Sequence, residues 1–324
     1  MPRPLRRYGL VIALLAAAGS AAAAEPYPSR PIAMIVPYTP GTGIDIVART
    51  VGAKLAERWG EPVVVDNRPG NSGNIGAHAV ATAQPNGYTL MTTVITFAMT
   101  PALSRDLPYD PIKDFTPVAE VATGSMALAV NPRRLPVTSV AELVAAAKAH
   151  PGQLNYASPG NGTPQHLGME LFKQRLGLDI VHVPYKGAAG AMTDLIGGQV
   201  EIAYLPVHTA LPFAADGRLR ILAVAGDKRS ILAPDAPSFK ELGYDNMDIE
   251  LWYGIFGPAG LPPDIVAAWQ DALAGVLALP DVKGNLVKQG LVPNYRPSAA
   301  LGALMNADVQ RWRAVVEKAG IKPD

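Results

Sequence analysis

Residues 156–167 read YASPGNGTPQHL, and the fold follows from how that stretch divides. An apolar run ends at Ala157, Gly160 and Gly162 flank Asn161, and Thr163-Pro164 comes next. The two glycines admit backbone angles that side chains resist. Thr163 is a good N-cap and Pro164 suits the first helical position, so the stretch predicts strand, bare-backbone loop, helix. Such a loop turns several N–H groups toward one point beside a helix N-terminus, where negative charge is favoured.

The pattern has a counterpart upstream. VPYTPGTGID (36–45) again runs strand, Pro-Gly turn, Thr and Gly, then helix, and NRPGNSGNIGA (67–77) is a third glycine-rich turn. Around them, 31–38 and 62–67 read as strands and 42–60 as a helix with Ile44, Val47, Val51, Leu55 and Trp59 on one stripe. A helix from Ile75 and a strand at 87–94 complete a βαβαβ run, which implies a parallel sheet with right-handed crossovers. A second set follows: helix 139–150 opened by a Ser139–Glu142 capping box, strand 154–157, helix 163–176, strand 179–185, helix 188–197 and strand 200–205. The segment 218–226 reads as a further strand, and after Trp252 the pattern turns helical over 263–279 and 298–319. Apolar stretches at 117–130 and 220–226 lie between the two sets and predict paired crossovers, so that lobe 1 takes 25–125 and 227–324 and lobe 2 takes 126–226.

Composition narrows the classes. The 324 residues are 49% hydrophobic and 17% charged, enough for two cored domains, and 31 glycines with 31 prolines favour short alternating elements over a helical bundle. Residues 1–24 read as a cleavable signal peptide: the basic MPRPLRR, an apolar core, and Ala22-Ala23-Ala24 before Glu25. Its loss removes Arg3, Arg6 and Arg7 and takes the formal net charge from +1 to −2. A near-neutral mature chain has no electrostatic footprint for nucleic acid. With no cysteine there is neither a disulfide nor a thiolate metal site.

In parallel sheets the loops after the strands gather at one edge, where ligands bind. Thr42, Ser158, Asn161 and Thr163 add side-chain groups to the bare N–H groups there, a chemistry suited to a small carboxylate. Thr163 acting only as a cap is the plainer alternative. One exposed helix terminus supplies roughly 0.3–1 kcal/mol, whereas micromolar affinity needs about 8 kcal/mol, so both loops must act together in a closing cleft. No dinucleotide, nucleotide-phosphate or nucleophile-elbow spacing occurs, and no cofactor is expected. Ser158 and His166 form a conceivable hydrolase pair, although His166 lies inside a predicted helix. His78, His150, His182 and His208 lack metal-ligand spacing.

Those loops, in that order, resemble the Bug family, the periplasmic receptors of tripartite tricarboxylate transporters. YPSRPIAMIVPYTPGTGIDIVAR, VVVDNRPGNSGNIGA, PNGYTL, LNYASPGNGTPQHL, HVPYKGAAGAMTDLIGGQVEIAY and the terminal AGIKPD carry the likeness across the mature chain. The resemblance implies a type II periplasmic binding fold, two α/β lobes closing on one ligand without turnover. It implies a periplasmic monomer that hands a small carboxylate to integral membrane subunits; a sensory role is the other reading of such a receptor. It also places Tyr38, Thr39, Gly41, Thr42 and Gly43 in one gripping loop and Ser158, Gly160, Asn161, Gly162, Thr163 and His166 in the other. Tyr204 and Leu205 would complete the site. Thr42 stands where the family usually has glycine, and Leu205 where many relatives carry an acidic or amide residue, which favours a ligand with an apolar or aromatic body.

Overall fold

The computed structural model describes residues 27–247 and 249–322; the expected signal peptide lies outside the described residues. Two sheets carry the molecule. The first orders β11 (Val292–Pro297), β4 (Phe115–Gly124), β10 (Leu251–Pro258), β3 (Thr89–Val94), β1 (Ile32–Val36) and β2 (Val63–Asn67). Strands β1, β2 and β3 pair in parallel, while β10 runs antiparallel between β3 and β4. The second orders β7 (Val181–Pro184), β6 (Asn155–Ser158), β8 (Ile202–Pro206), β5 (Met126–Val130) and β9 (Arg220–Val224). Strands β6, β7 and β8 are parallel, and β5 is antiparallel to β8 and β9.

The chain passes between sheets at a single residue, Ser125, because β4 ends at Gly124 and β5 starts at Met126. It returns between β9 and β10, so the six-stranded sheet is assembled from both ends of the sequence. Crossing helices follow the parallel strands: α1 (Gly43–Trp59), α2 (Asn74–Ala81) and α3 (Thr96–Leu103) in the first lobe, α5 (Pro164–Leu176), α6 (Ala188–Gly197) and α7 (Val207–Ala215) in the second. Helix α4 (Val140–Ala149) precedes β6, and α8 (Pro263–Ala278), α9 (Pro280–Lys288) and α10 (Ser298–Lys318) follow β10. The last of these bridges the lobes, since Gln174 Nε2 on α5 donates to Val315 O on α10 at 2.8 Å.

The helical stripe on α1 is realised: Ile44, Val47, Val51 and Leu55 are buried, and Trp59 packs edge-on against Trp269 at 4.9 Å. Ser139 caps α4 by accepting from Glu142 N at 3.1 Å, but the returning half of the box lands one residue early, on Thr138 N at 2.6 Å. No strand is expected from the sequence after 226, yet β10 and β11 form there. All eight positions of β10 are buried, and a strand covered on both faces loses the alternation that marks one.

Helix α2 sits hard against the end of β1. A Cβ on Gly76 would stand 2.8 Å from Pro37 Cα and 3.0 Å from Arg68 O, distances that only a bare backbone allows. That approach brings the start of α2 beside the loop after β1.

Candidate functional site

A cleft of about 780 Å³ opens between the two sheets. The first lobe lines it with Tyr38, Asn71, Ser72, Asn74, Thr96, Thr100 and Ser104, and the second with Asn161, Gly162, Thr163, His166, Glu170, Lys173 and His182. Residues 319–322, beyond α10, form a side wall. Helices α2, α3 and α5 all begin at this cleft, at Asn74, Thr96 and Pro164. Their N-termini present partial positive charge, although Asn74 N already donates to Asn71 O, Ala98 N to Ile95 O and His166 N to Thr163 Oγ1.

The loop after β1 is held from behind. Asp45, 3% exposed, accepts from Gly41 N at 2.9 Å, from Arg49 Nε at 3.0 Å and from Asn67 Nδ2 at 2.9 Å. Burial pushes its carboxyl pKa up, but the Arg49 guanidinium and the Gly41 and Asn67 amides outweigh it and leave the group below its ordinary value. Tyr38 lines the cleft, and its hydroxyl pairs with Thr96 Oγ1. Thr39, Gly41, Thr42 and Gly43 are not among the lining residues. Gly43 instead backs onto Tyr253, where an added Cβ would stand 3.0 Å from the hydroxyl.

The loop after β6 enters the cleft more fully. Thr163 Oγ1 accepts from His166 N at 3.3 Å, capping α5 with Pro164 at its first turn. Gly162 N donates to His166 Nδ1 at 3.0 Å, which leaves Nε2 as the protonated imidazole nitrogen. Gly162 has φ +73, and a Cβ there would stand 2.7 Å from Leu103 Cδ1 on α3, so the loop tip abuts the opposite lobe. Ser158 and Gly160 lie behind the wall.

Three hydroxyls counted from sequence as donors face inward. Thr42 Oγ1 donates to Thr39 O at 3.0 Å, Ser158 Oγ to Gly160 O at 3.1 Å and Thr163 Oγ1 to Gly160 O at 2.8 Å. Asn161 alone of the four presents an exposed side chain to the cleft. Removing the cap by Thr163→Ala therefore leaves His166 N without its acceptor and takes one of the donors from Gly160 O. It should cost about 0.5–2 kcal/mol of stability, measured by urea unfolding, and weaken ligand binding in calorimetry; unchanged binding would separate the loop from the site.

The Ser158–His166 pair suggested by the sequence does not form. Ser158 Oγ lies 2.6 Å from His182 Nε2 instead, and His182 stacks on His166 at 4.0 Å and on Tyr156 at 4.8 Å. Beneath the rings, Glu170 Oε1 accepts from Tyr156 Oη at 2.7 Å and from Lys173 Nζ at 2.6 Å. Burial, then the neighbouring His166 and Lys173, push the His182 pKa down to about 3; burial likewise lowers that of His166.

Tyr204 and Leu205 are buried and border a separate hollow of about 50 Å³, walled by Ala157, Met192 and Leu195. They do not line the cleft. Asn71, Ser72 and Asn74 were available in the third glycine-rich turn, while Thr96, Lys173 and His182 carried no spacing signal.

The model of the tripartite tricarboxylate transporter family receptor matches residues 47–321. The BugT protein of Bordetella pertussis is 35% identical over 326 residues, covering 99% of each chain. Among solved structures, the periplasmic binding protein BugD superposes with a TM-score of 0.73 at 31% identity, covering 92% of this chain and 100% of that one. Rpa4515 of R. palustris, solved with adipate, gives 0.76 at 34% identity with the same coverage. MatC of Rhodopseudomonas palustris, with bound malate, gives 0.72 at 30% identity over 90% of this chain and 100% of that one. With the two-lobed fold and the interlobe cleft, these matches mean that the chain belongs to the Bug family of tripartite tricarboxylate transporter receptors.

Proposed function

We propose that this protein is a periplasmic solute-binding protein that captures a small carboxylate between its lobes and delivers it, as a monomer, to the membrane subunits of a tripartite transporter. Export through residues 1–24 belongs to the same reading, as does the division into lobe 1 (25–125 and 227–324) and lobe 2 (126–226). Relatives solved with adipate and malate support the ligand class. The observation that carries it is the cleft wall: hydroxyls, amides and imidazoles, with three helix N-termini opening onto one space. Such a wall offers hydrogen bonds and positive potential to an anion, and Leu103, Pro164 and Ile321 give it apolar surface as well. Di- and tricarboxylates fit such a wall, and so do aromatic carboxylates.

The hydrolase alternative has one observation behind it, the Ser158–His182 contact. Ser158 is 0% exposed and its hydroxyl is bound within its own loop. An imidazole with its pKa near 3 is a poor general base at neutral pH. Binding without turnover is the function proposed.

A thermal-unfolding screen of malate, adipate, citrate and benzoate tests this. A ligand present at about a hundred times its dissociation constant should add about 2.7 kcal/mol of stability. The acid that shifts the transition should be recovered intact after incubation. No shift with any carboxylate in a wider panel, or loss of the compound, would overturn the proposal.

A further inference from the structure

We infer that Asn74 is a ligand-binding residue of the first lobe: oriented by Tyr109, it donates its amide hydrogens to a carboxylate oxygen of the cargo. This rests on the carboxylate reading of the cleft and adds the residue that would grip from lobe 1.

Asn74 is 3% exposed and yet lines the cleft. Its Oδ1 accepts from Tyr109 Oη at 2.7 Å. Tyr109 is itself buried, wedged between Phe97 and Phe115 at ring distances of 5.9 and 5.5 Å. A primary amide has its acceptor on one side and two donors on the other. With the tyrosine proton directed at Oδ1, the NH₂ group turns away from Tyr109, and among the described residues it meets no acceptor. The reverse orientation would leave the Tyr109 proton without an acceptor instead. That NH₂ group borders the open cleft, so its donors are left to water or to an oxygen of the cargo.

The backbone leading to Asn74 supports the same assignment. Gly70, Asn71, Ser72 and Gly73 all have positive φ, at 129°, 45°, 53° and 95°, and two of them carry side chains that resist it. The chain accepts that local cost where it sets Asn74 at the first position of α2. Aspartate would satisfy Tyr109 and the helix N-terminus equally well, but it would present a negative oxygen to the cleft. Asparagine presents donors.

Calorimetry with malate, adipate and citrate on the full mature chain tests this, using whichever acid binds the wild type. Asn74→Asp keeps the oxygen that Tyr109 needs and replaces the donors with charge, so affinity should fall at least 30-fold with the unfolding transition intact. Asn74→Ser, which removes the amide without adding charge, should lose about tenfold and serves if the aspartate variant does not fold. Tyr109→Phe should lose three- to tenfold alone and nothing further in an Asn74→Ser background, a non-additivity that a merely structural tyrosine would not show. Wild-type affinity in both Asn74 variants overturns the inference and leaves the carboxylate reading standing. Failure of the wild type to bind these acids or any carboxylate of the wider panel overturns both.

Discussion

Replacing Trp252 with alanine will lower the unfolding free energy by about 3–5 kcal/mol, the largest loss from any single substitution considered. Trp252 is 0% exposed, in the strand that joins both halves of the six-stranded sheet. Its ring packs on Phe256 at 6.1 Å, and its Nε1 donates to Asp308 Oδ2 at 2.7 Å, tying β10 to α10. Alanine leaves a cavity the size of an indole and takes the donor from a buried carboxylate at once. The effect should reach the site, because the next residue, Tyr253, backs the Gly43 turn. Trp252→Phe, which keeps most of the volume, should cost less than half as much. Urea unfolding midpoints measure both; a loss under 1 kcal/mol for the alanine variant would mean that β10 is not a keystone of the sheet.

The same strand shows where the sequence stops being legible. LWYGIFGP has no period of two because β3 and β4 flank it and both faces are covered. The parallel strands β1 and β6 announce themselves differently, through the glycine turns and helix caps that follow them. Those local signals gave α1, α5 and the two glycine-rich loops before them. What they could not give is which side chains of each loop face the cleft. Thr42 and Thr163 look like ligand donors in one dimension, yet each spends its proton on a carbonyl three residues back. His182 is the opposite case. Nothing near it in sequence marks it, and its place at the cleft comes from β7 lying beside β6, which sets it against Ser158 and His166. Pairings of that range are fixed by sheet order and not by spacing.

That pairing makes acid sensitivity the second large effect. His182 is half-buried among Tyr156, Ser158 and His166, with the Lys173–Glu170 pair beside it, and its pKa falls from 6.5 to about 3. Above pH 6.5 both folded and unfolded chains hold it neutral, and its contribution to stability is fully present. Below pH 6.5 the unfolded chain takes up a proton that the folded chain refuses, so stability drains as pH falls and the loss is complete near pH 3. Between pH 6.5 and pH 4 this single group should remove about 2–3 kcal/mol, at no more than about 1.4 kcal/mol per pH unit. His182→Phe keeps the ring stack but cannot titrate. At pH 7.5 it should be less stable than wild type by about 1 kcal/mol for the lost Ser158 hydrogen bond. On acidification its stability should fall less steeply, and the two curves should cross near pH 5.5. Chemical denaturation from pH 7.5 to pH 4 measures the difference. Parallel curves throughout would show that His182 titrates alike in the folded and unfolded chains, and that on acidification it adds a second positive charge to the cleft wall beside Lys173.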